Sequence, residues 1–146
     1  IVDQMQTDIA SIQKTIGDVD DPIKALYYGG GTDAAFTSGK YGMPTKLMNA
    51  VGATNIFSDV EADWIPEASW ETIIERDPEV IIIDDTPWAN GEDSIAILTT
   101  LPQLQSVTAI REGNFIVVPW TYILPGVDID ESVKMLAHEL YPELFQ

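Results

Sequence analysis

The chain has 146 residues, of which 45% are hydrophobic, and this length and composition suit a single domain with a buried core. Its 7 basic residues against 24 acidic ones give a formal net charge of −17, which excludes the basic surface that nucleic-acid binding requires. Because there is no cysteine, disulfides, thiolate metal sites and a cysteine nucleophile are excluded as well.

The first segment is predicted to be an amphipathic helix, because apolar residues recur at intervals of three and four up to Ile16 and Gly17 follows. Four β-rich apolar runs come next, and their nearly continuous hydrophobicity is typical of parallel strands covered on both faces: 23–28, 53–57, 80–83 and 115–118. Helical patterns bounded by Pro, Gly or an N-cap serine lie between and after them: 44–51, 69–76, 94–101 and 130–141. Segment 107–110 is interpreted as a further short strand or a turn.

This alternation predicts an α/β fold in which a doubly wound, mostly parallel sheet of four to five strands has helices on both faces. Ligands of such sheets bind outside the carboxyl ends of the strands. An aromatic side chain in each predicted exit loop therefore indicates a binding rim for a large, flat or partly apolar ligand. Each ring could instead fold over the end of the core. The rim residues are Phe36, Trp64, Trp88, Trp120 and Tyr122.

Catalytic and metal-binding patterns are weak. His138, the single histidine, lies in the last predicted helix, away from the rim. The pair Asp84 and Asp85 is interpreted as a strand-end cap rather than a cation site. The glycine cluster 29–31 is either a flexible turn or a phosphate loop, and it lacks the spacing of known phosphate-binding motifs. Glu71 falls in the first turn of a predicted helix, where the helix dipole favours a carboxylate.

From Phe36 onward the sequence resembles the C-terminal lobe of the substrate-binding proteins that serve ABC importers of ferric siderophores, haem and cobalamin. The resemblance covers about residues 23–144 and rests on an ordered set of segments rather than on one motif. These segments are FTSGKYGMPTKLMNAVGATNIF, the tryptophan at 64, ASWETIIERDPEVIIID, LPQLQSVTAIREGNFIVVP, and PG followed by a terminal helix.

The resemblance implies a non-enzymatic protein of two α/β lobes, joined by one long helix, with the ligand held between them. Residues 1–17 would then be the helix that enters the C-terminal lobe, and residues 18–146 the lobe itself. An intact protein is expected to carry the N-terminal lobe, with a signal peptide or a lipid-anchoring cysteine, upstream of Ile1. Its location would be extracytoplasmic, either in a periplasm or at the cell surface on a lipid anchor.

The resemblance also assigns roles to individual residues. Trp64 matches an aromatic ligand contact, and Glu71 matches the acidic residue that docks onto arginines of the membrane permease. The other four rim residues fall in ligand loops that vary within the family. The multi-histidine set of the zinc and manganese relatives is absent, so the implied ligand is a metal chelate rather than a bare ion.

The leading functional hypothesis is a lobe that binds an iron-siderophore-like chelate. Cobalamin or haem is the alternative within the same class. A nucleotide- or cofactor-using enzyme of flavodoxin-like fold, with the glycine cluster as its phosphate loop, is the alternative from a different class.

Overall fold

The computed structural model describes residues 2–17, 22–87, 90–123 and 129–143. Six strands lie in these ranges: β1 (Ile23–Tyr28), β2 (Ala35–Ser38), β3 (Ala53–Asn55), β4 (Trp64–Ala68), β5 (Val80–Asp85) and β6 (Phe115–Pro119). Four of them form a parallel sheet in the order β3-β1-β5-β6, and β2 pairs with β4 in a separate antiparallel ribbon. The six described helices are α1 (Val2–Ile16), α2 (Met43–Ala50), α3 (Trp70–Arg76), α4 (Gly91–Thr100), α5 (Thr108–Glu112) and α6 (Ile129–Leu140).

The helices cover both faces of the parallel sheet, which confirms the predicted doubly wound α/β fold. On one face, buried residues of α1, α2 and α6 pack against alternate strand residues such as Ala25, Tyr27 and Ile82. On the other face, α3, α4 and α5 pack against the intervening residues, such as Leu26 and Ile81. Since neighbouring strand residues point to opposite faces, both faces of each central strand must be apolar.

A buried polar network ties the ribbon to the parallel sheet. The side-chain amide of Asn55, at the end of β3, donates to the carbonyl oxygen of Ser38 at 2.7 Å and to the Thr45 hydroxyl at 2.8 Å. Its Oδ1 atom accepts the backbone N–H of Phe57 at 3.0 Å. The Thr45 hydroxyl in turn donates to the carbonyl of Gly39 at 2.6 Å. One side chain thus joins β3, β2 and α2. Strand β3 ends at Asn55, whereas the sequence predicted an end at Phe57. At this point the Asn55 side chain binds the backbone N–H of Phe57.

The interpretation of 107–110 as a strand or turn is wrong, because this segment contributes to helix α5. The two carboxylate oxygens of Asp77 accept the backbone N–H and the hydroxyl of Thr108, each at 2.7 Å. Gly113 ends the helix with a φ of 70°. A residue about thirty positions earlier thus caps the helix, and a local sequence pattern cannot show such a cap.

Replacing Asp77 with alanine is expected to lower the free energy of unfolding by about 1 kcal/mol at neutral pH, the usual cost of a lost cap. The hydrogen bond from the Thr108 backbone holds the pKa of the Asp77 carboxyl below its ordinary value. The stabilisation is therefore present above the ordinary pKa and is lost as pH falls through the lowered one.

Urea unfolding of the wild type and of Asp77→Ala at several pH values measures this cost. The difference between their free energies of unfolding should shrink in acid. Asp77→Asn is the control, because asparagine accepts the same N–H bond, tolerates the φ of 47° at this position and does not titrate. A cost that stays constant with pH would contradict the role of the carboxylate.

Candidate ligand-binding surface

The ribbon places two of the predicted rim residues side by side. Ser38 of β2 pairs with Trp64 of β4, and Thr37 pairs with Ile65. Phe36 and Trp64 therefore lie in strands, and their predicted placement in exit loops is wrong. The ribbon strands are short and β4 is largely exposed, so they lack the buried apolar run by which the sheet strands were recognised.

Phe36, Trp64 and Tyr27 form an aromatic cluster near the carboxyl edge of the parallel sheet. The Phe36 and Trp64 rings are stacked, with their centroids 5.5 Å apart and an interplanar angle of 25°. The Trp64 ring also lies 6.1 Å from that of Tyr27, tilted by 51°. Tyr27 is buried, whereas Trp64 remains 41% exposed. A supported aromatic surface that is open to solvent suits stacking against a flat or partly apolar ligand.

The loop between β1 and β2 is closed by backbone hydrogen bonds. The N–H of Gly29 donates to the carbonyl of Phe36 at 2.8 Å, and the N–H of Phe36 donates to the carbonyl of Gly30 at 2.9 Å. A Cβ atom at Gly29 would lie only 2.7 Å from the Phe36 ring. The Gly29 amide is thus occupied and the residue makes room for Phe36, which disfavours a phosphate loop here.

Asp84, from the neighbouring strand, faces the hydroxyl of Tyr27. Tyr27 is paired in register with Ile82, so Asp84, two residues later, falls on the same face of the sheet. Burial raises the pKa of the Asp84 carboxyl, the Tyr27 hydrogen bond opposes that rise, and the charge of Asp85 adds to it. Burial and the same carboxylate raise the pKa of Tyr27. The next residue, Asp85, accepts the N–H of Gly91 at the start of α4 at 2.8 Å.

The remaining rim residues are only partly described. Trp120 is half-buried and begins a short 3₁₀ turn directly after β6, at the same edge of the sheet. Since β5 lies between β6 and β1, Trp120 is about 10 Å from the strand that carries Tyr27, at a usual strand spacing of nearly 5 Å. Trp88 and the side chain of Tyr122 lie outside the described residues.

Trp70 and Glu71 lie at the start of α3. The indole N–H of Trp70 donates to the carbonyl of Thr32 at 2.9 Å, and its ring lies 6.2 Å from that of Tyr28. Trp70 is buried and packs the helix onto the sheet. Glu71 is exposed beside an open groove of about 740 Å³ that is also lined by Asp33, Glu67 and Gln103.

Sequence reasoning missed Tyr27 and the contact that Asp84 makes with it. Tyr27 was interpreted as a core residue of β1, because a tyrosine in an apolar strand has the same sequence pattern as any other buried residue. Its position next to the end of that strand, with a hydroxyl that needs a polar partner, was the available signal. The partner lies on another strand, so only the sheet order reveals it.

Within the described ranges, no three carboxylate or imidazole side chains converge on a point where they could hold a metal ion. None of the helices in those ranges has both the length and the apolarity needed to cross a bilayer. The candidate surface consists of aromatic rings beside a carboxyl group.

A family model described as periplasmic binding protein matches residues 1–121, which is most of the chain. The chain belongs to the periplasmic binding protein family. Among curated relatives of this family member, a vitamin B12-binding protein of Pectobacterium carotovorum is 37% identical over 84 residues, 58% of this chain and 28% of the relative. A vitamin B12-binding protein of Yersinia pestis is 34% identical over 86 residues, again 58% of this chain, and 29% of the relative.

Solved structures of periplasmic binding proteins share the fold. A periplasmic binding protein from Veillonella parvula superposes with a TM-score of 0.82 at 30% identity, covering 97% of this chain and 49% of that one. A periplasmic haem-binding protein from Roseiflexus gives a TM-score of 0.78 at 23% identity, covering 97% and 54%. The present chain thus spans about half the length of these relatives. The resemblance found in the sequence is confirmed at the level of family and fold.

Proposed function

We propose that this chain is the C-terminal lobe of the substrate-binding component of an ABC importer, and that it binds an iron-siderophore-like metal chelate and delivers it to the membrane permease. The observation that carries the proposal is the stacked pair Phe36 and Trp64 at the carboxyl edge of the sheet, in a periplasmic binding protein fold. The family points to an extracytoplasmic location and to binding without catalysis. The second half of the binding site would come from an N-terminal lobe.

The charge of this surface narrows the class of chelate. The carboxyl of Asp84 lies beside Tyr27 of the aromatic cluster, and the whole chain is strongly acidic. A strongly anionic chelate such as a ferric tris-catecholate would be repelled by this lobe. Neutral or cationic chelates fit better, and ferric hydroxamates have this character. Cobalamin is the second candidate, because two of the relatives reported above are vitamin B12-binding proteins.

Quenching of tryptophan fluorescence in the full-length protein tests the proposal. The titrants are ferrioxamine, a ferric catecholate, cyanocobalamin, haem and flavin mononucleotide. We expect saturable binding of ferrioxamine or cyanocobalamin and none of the catecholate. Saturable binding of the flavin alone would overturn the importer function and favour the flavodoxin-like enzyme.

Glu71 is proposed to dock onto arginine side chains of the permease. It is exposed in the first turn of a helix that Ser69 caps, since the Ser69 hydroxyl accepts the Thr72 N–H at 3.1 Å. A carboxylate on a fixed helix start offers the planar acceptor that a guanidinium binds through two hydrogen bonds. The adjoining groove leaves space for such a side chain.

Glu71→Ala in the full-length protein is expected to reduce uptake of the bound chelate by about tenfold or more, since losing one partner of a charged interface pair is costly. Affinity for the chelate should not change, because Trp70 beside Glu71 packs on the face of the sheet opposite to that of Tyr27. Uptake by cells that carry the cognate permease, together with a binding titration, measures both quantities.

Glu75→Ala is the matched control, since Glu75 is an exposed glutamate on the same helix, and it should leave both quantities unchanged. A loss of chelate affinity in Glu71→Ala would reassign Glu71 to the ligand site instead.

A further inference from the structure

We propose that Asp84 and Tyr27 are positioning residues, which together hold Trp64 in the orientation that stacks on Phe36 and presents its open face to the ligand. This inference rests on the proposed function in so far as it concerns affinity. The support of Trp64 itself is a property of the lobe without ligand.

The order of contacts runs from the sheet outward. Tyr27 is anchored in the central strand β1 and is 2% exposed. Trp64 lies over it in a tilted contact, and Phe36 is stacked on Trp64. The two outer rings belong to a two-stranded ribbon, which has little stability without something to pack on. The contact from Tyr27 to Trp64 therefore joins the ribbon to the rigid sheet.

A buried tyrosine ring has one polar atom that must find a partner. The Tyr27 hydroxyl faces the Asp84 carboxyl, and the parallel register brings both side chains to the same face of the sheet. A partner on the adjacent strand fixes where the far end of the ring lies. In the proposed arrangement, a hydrogen bond between the Tyr27 hydroxyl and the Asp84 carboxyl keeps the ring from sliding along the sheet.

The carboxylate depends on the tyrosine in the same way. Asp84 is partly desolvated, and its charge is stabilised by the Tyr27 hydroxyl and by its own backbone N–H. The neighbouring carboxylate, Asp85, instead accepts the N–H of Gly91 at the start of α4, whose N-cap is Asn90. We therefore expect Tyr27 and Asp84 to depend on each other, so that the loss of either side chain changes the environment of Trp64.

The test uses the full-length protein labelled with 5-fluorotryptophan, in which the Trp64 resonance is identified by Trp64→Phe. Without ligand, Tyr27→Phe and Asp84→Ala should each shift or broaden that resonance. Asp84→Asn, whose amide oxygen still accepts the hydroxyl, should restore it. The double variant should show no more change than Tyr27→Phe alone, because the two residues act through one contact.

The matched control is Asp85→Ala, which removes the adjacent carboxylate on the opposite face and should leave the Trp64 resonance in place. Affinity for the chelate that binds the wild-type protein should fall by about three- to tenfold in Tyr27→Phe and Asp84→Ala, the range for one lost hydrogen bond. Tyr27→Phe covers the case in which Asp84→Ala fails to fold, because it removes the same contact and keeps the ring.

The outcomes separate the two proposals. An unchanged Trp64 resonance in both Tyr27→Phe and Asp84→Ala overturns the positioning role, whatever the protein binds. A changed resonance together with unaltered chelate affinity also overturns it, because Trp64 would then be supported without consequence for binding. If wild-type protein binds neither ferrioxamine nor cyanocobalamin while the resonance responds as expected, the support of Trp64 stands and the chelate function fails.

Discussion

Replacing Trp64 with alanine is expected to weaken binding of the metal chelate by about 30-fold or more, equivalent to about 2 kcal/mol, the scale of a binding hot spot. Trp64 is the most exposed ring of the aromatic cluster, yet it is held from behind by Tyr27 and from the side by Phe36. A ring that is already fixed loses little conformational entropy when a ligand stacks on it. Its removal should therefore cost most of the gross stacking energy.

Isothermal titration of the full-length protein and its Trp64→Ala variant measures this effect. Tyr41→Ala is the control, because Tyr41 is an exposed aromatic side chain, at 49%, and its ring lies against Lys40 rather than in the cluster. The control should bind the chelate as the wild type does. Equal affinity in Trp64→Ala and the wild type would show that the ligand does not contact the cluster.

Replacing Asn55 with alanine is expected to lower the free energy of unfolding by about 2–4 kcal/mol, the range for a broken buried hydrogen-bond network. The Asn55 side chain is 1% exposed and satisfies the Ser38 carbonyl, the Thr45 hydroxyl and the Phe57 N–H. Alanine leaves these polar groups buried without that partner. Asn55→Asp should be at least as damaging, because a carboxylate oxygen would face the Ser38 carbonyl.

Urea unfolding with fluorescence detection gives the free energies, and an unchanged slope against urea would show that the midpoint shift reports stability. Asn49→Ala serves as the comparison, since Asn49 is exposed on α2 and alanine is the better helix former. It should be neutral or slightly stabilising. A loss below about 1 kcal/mol for Asn55→Ala would mean that water replaces the lost hydrogen bonds and that the ribbon is held by other contacts.

The parts of the fold that local hydrophobicity encodes were predictable. The four sheet strands and five of the described helices were located from their apolar runs and end signals. Strands β2 and β4 were missed, because β2 is short and half polar, β4 is largely exposed, and the two pair with each other across about 30 residues. Helix α5 was missed for the same reason, since its cap at Asp77 is remote in sequence.

The candidate site, like the fold, could be predicted from the sequence only in part. An aromatic surface at the carboxyl edge was predicted, and the structure brings Phe36 and Trp64 together there. The support beneath them, Tyr27 and Asp84, depends on strand order, which composition and periodicity do not specify. The ligand-contact role of Trp64 and the docking role of Glu71 stay predictions until they are tested by binding and transport.

Tyr27 and Tyr28 are consecutive residues of β1 that point to opposite faces of the sheet. The ring of Tyr27 contacts Trp64, and the ring of Tyr28 contacts Trp70. Because neighbouring residues of β1 point to opposite faces, the proposed ligand surface and the proposed permease surface lie on opposite sides of the sheet. Substitutions at Phe36 and Trp64 would alter the proposed ligand surface and leave Glu71 and its helix unchanged. Under the proposed function, a change of chelate preference would involve part of the nine residues of β2 and β4, four in one strand and five in the other.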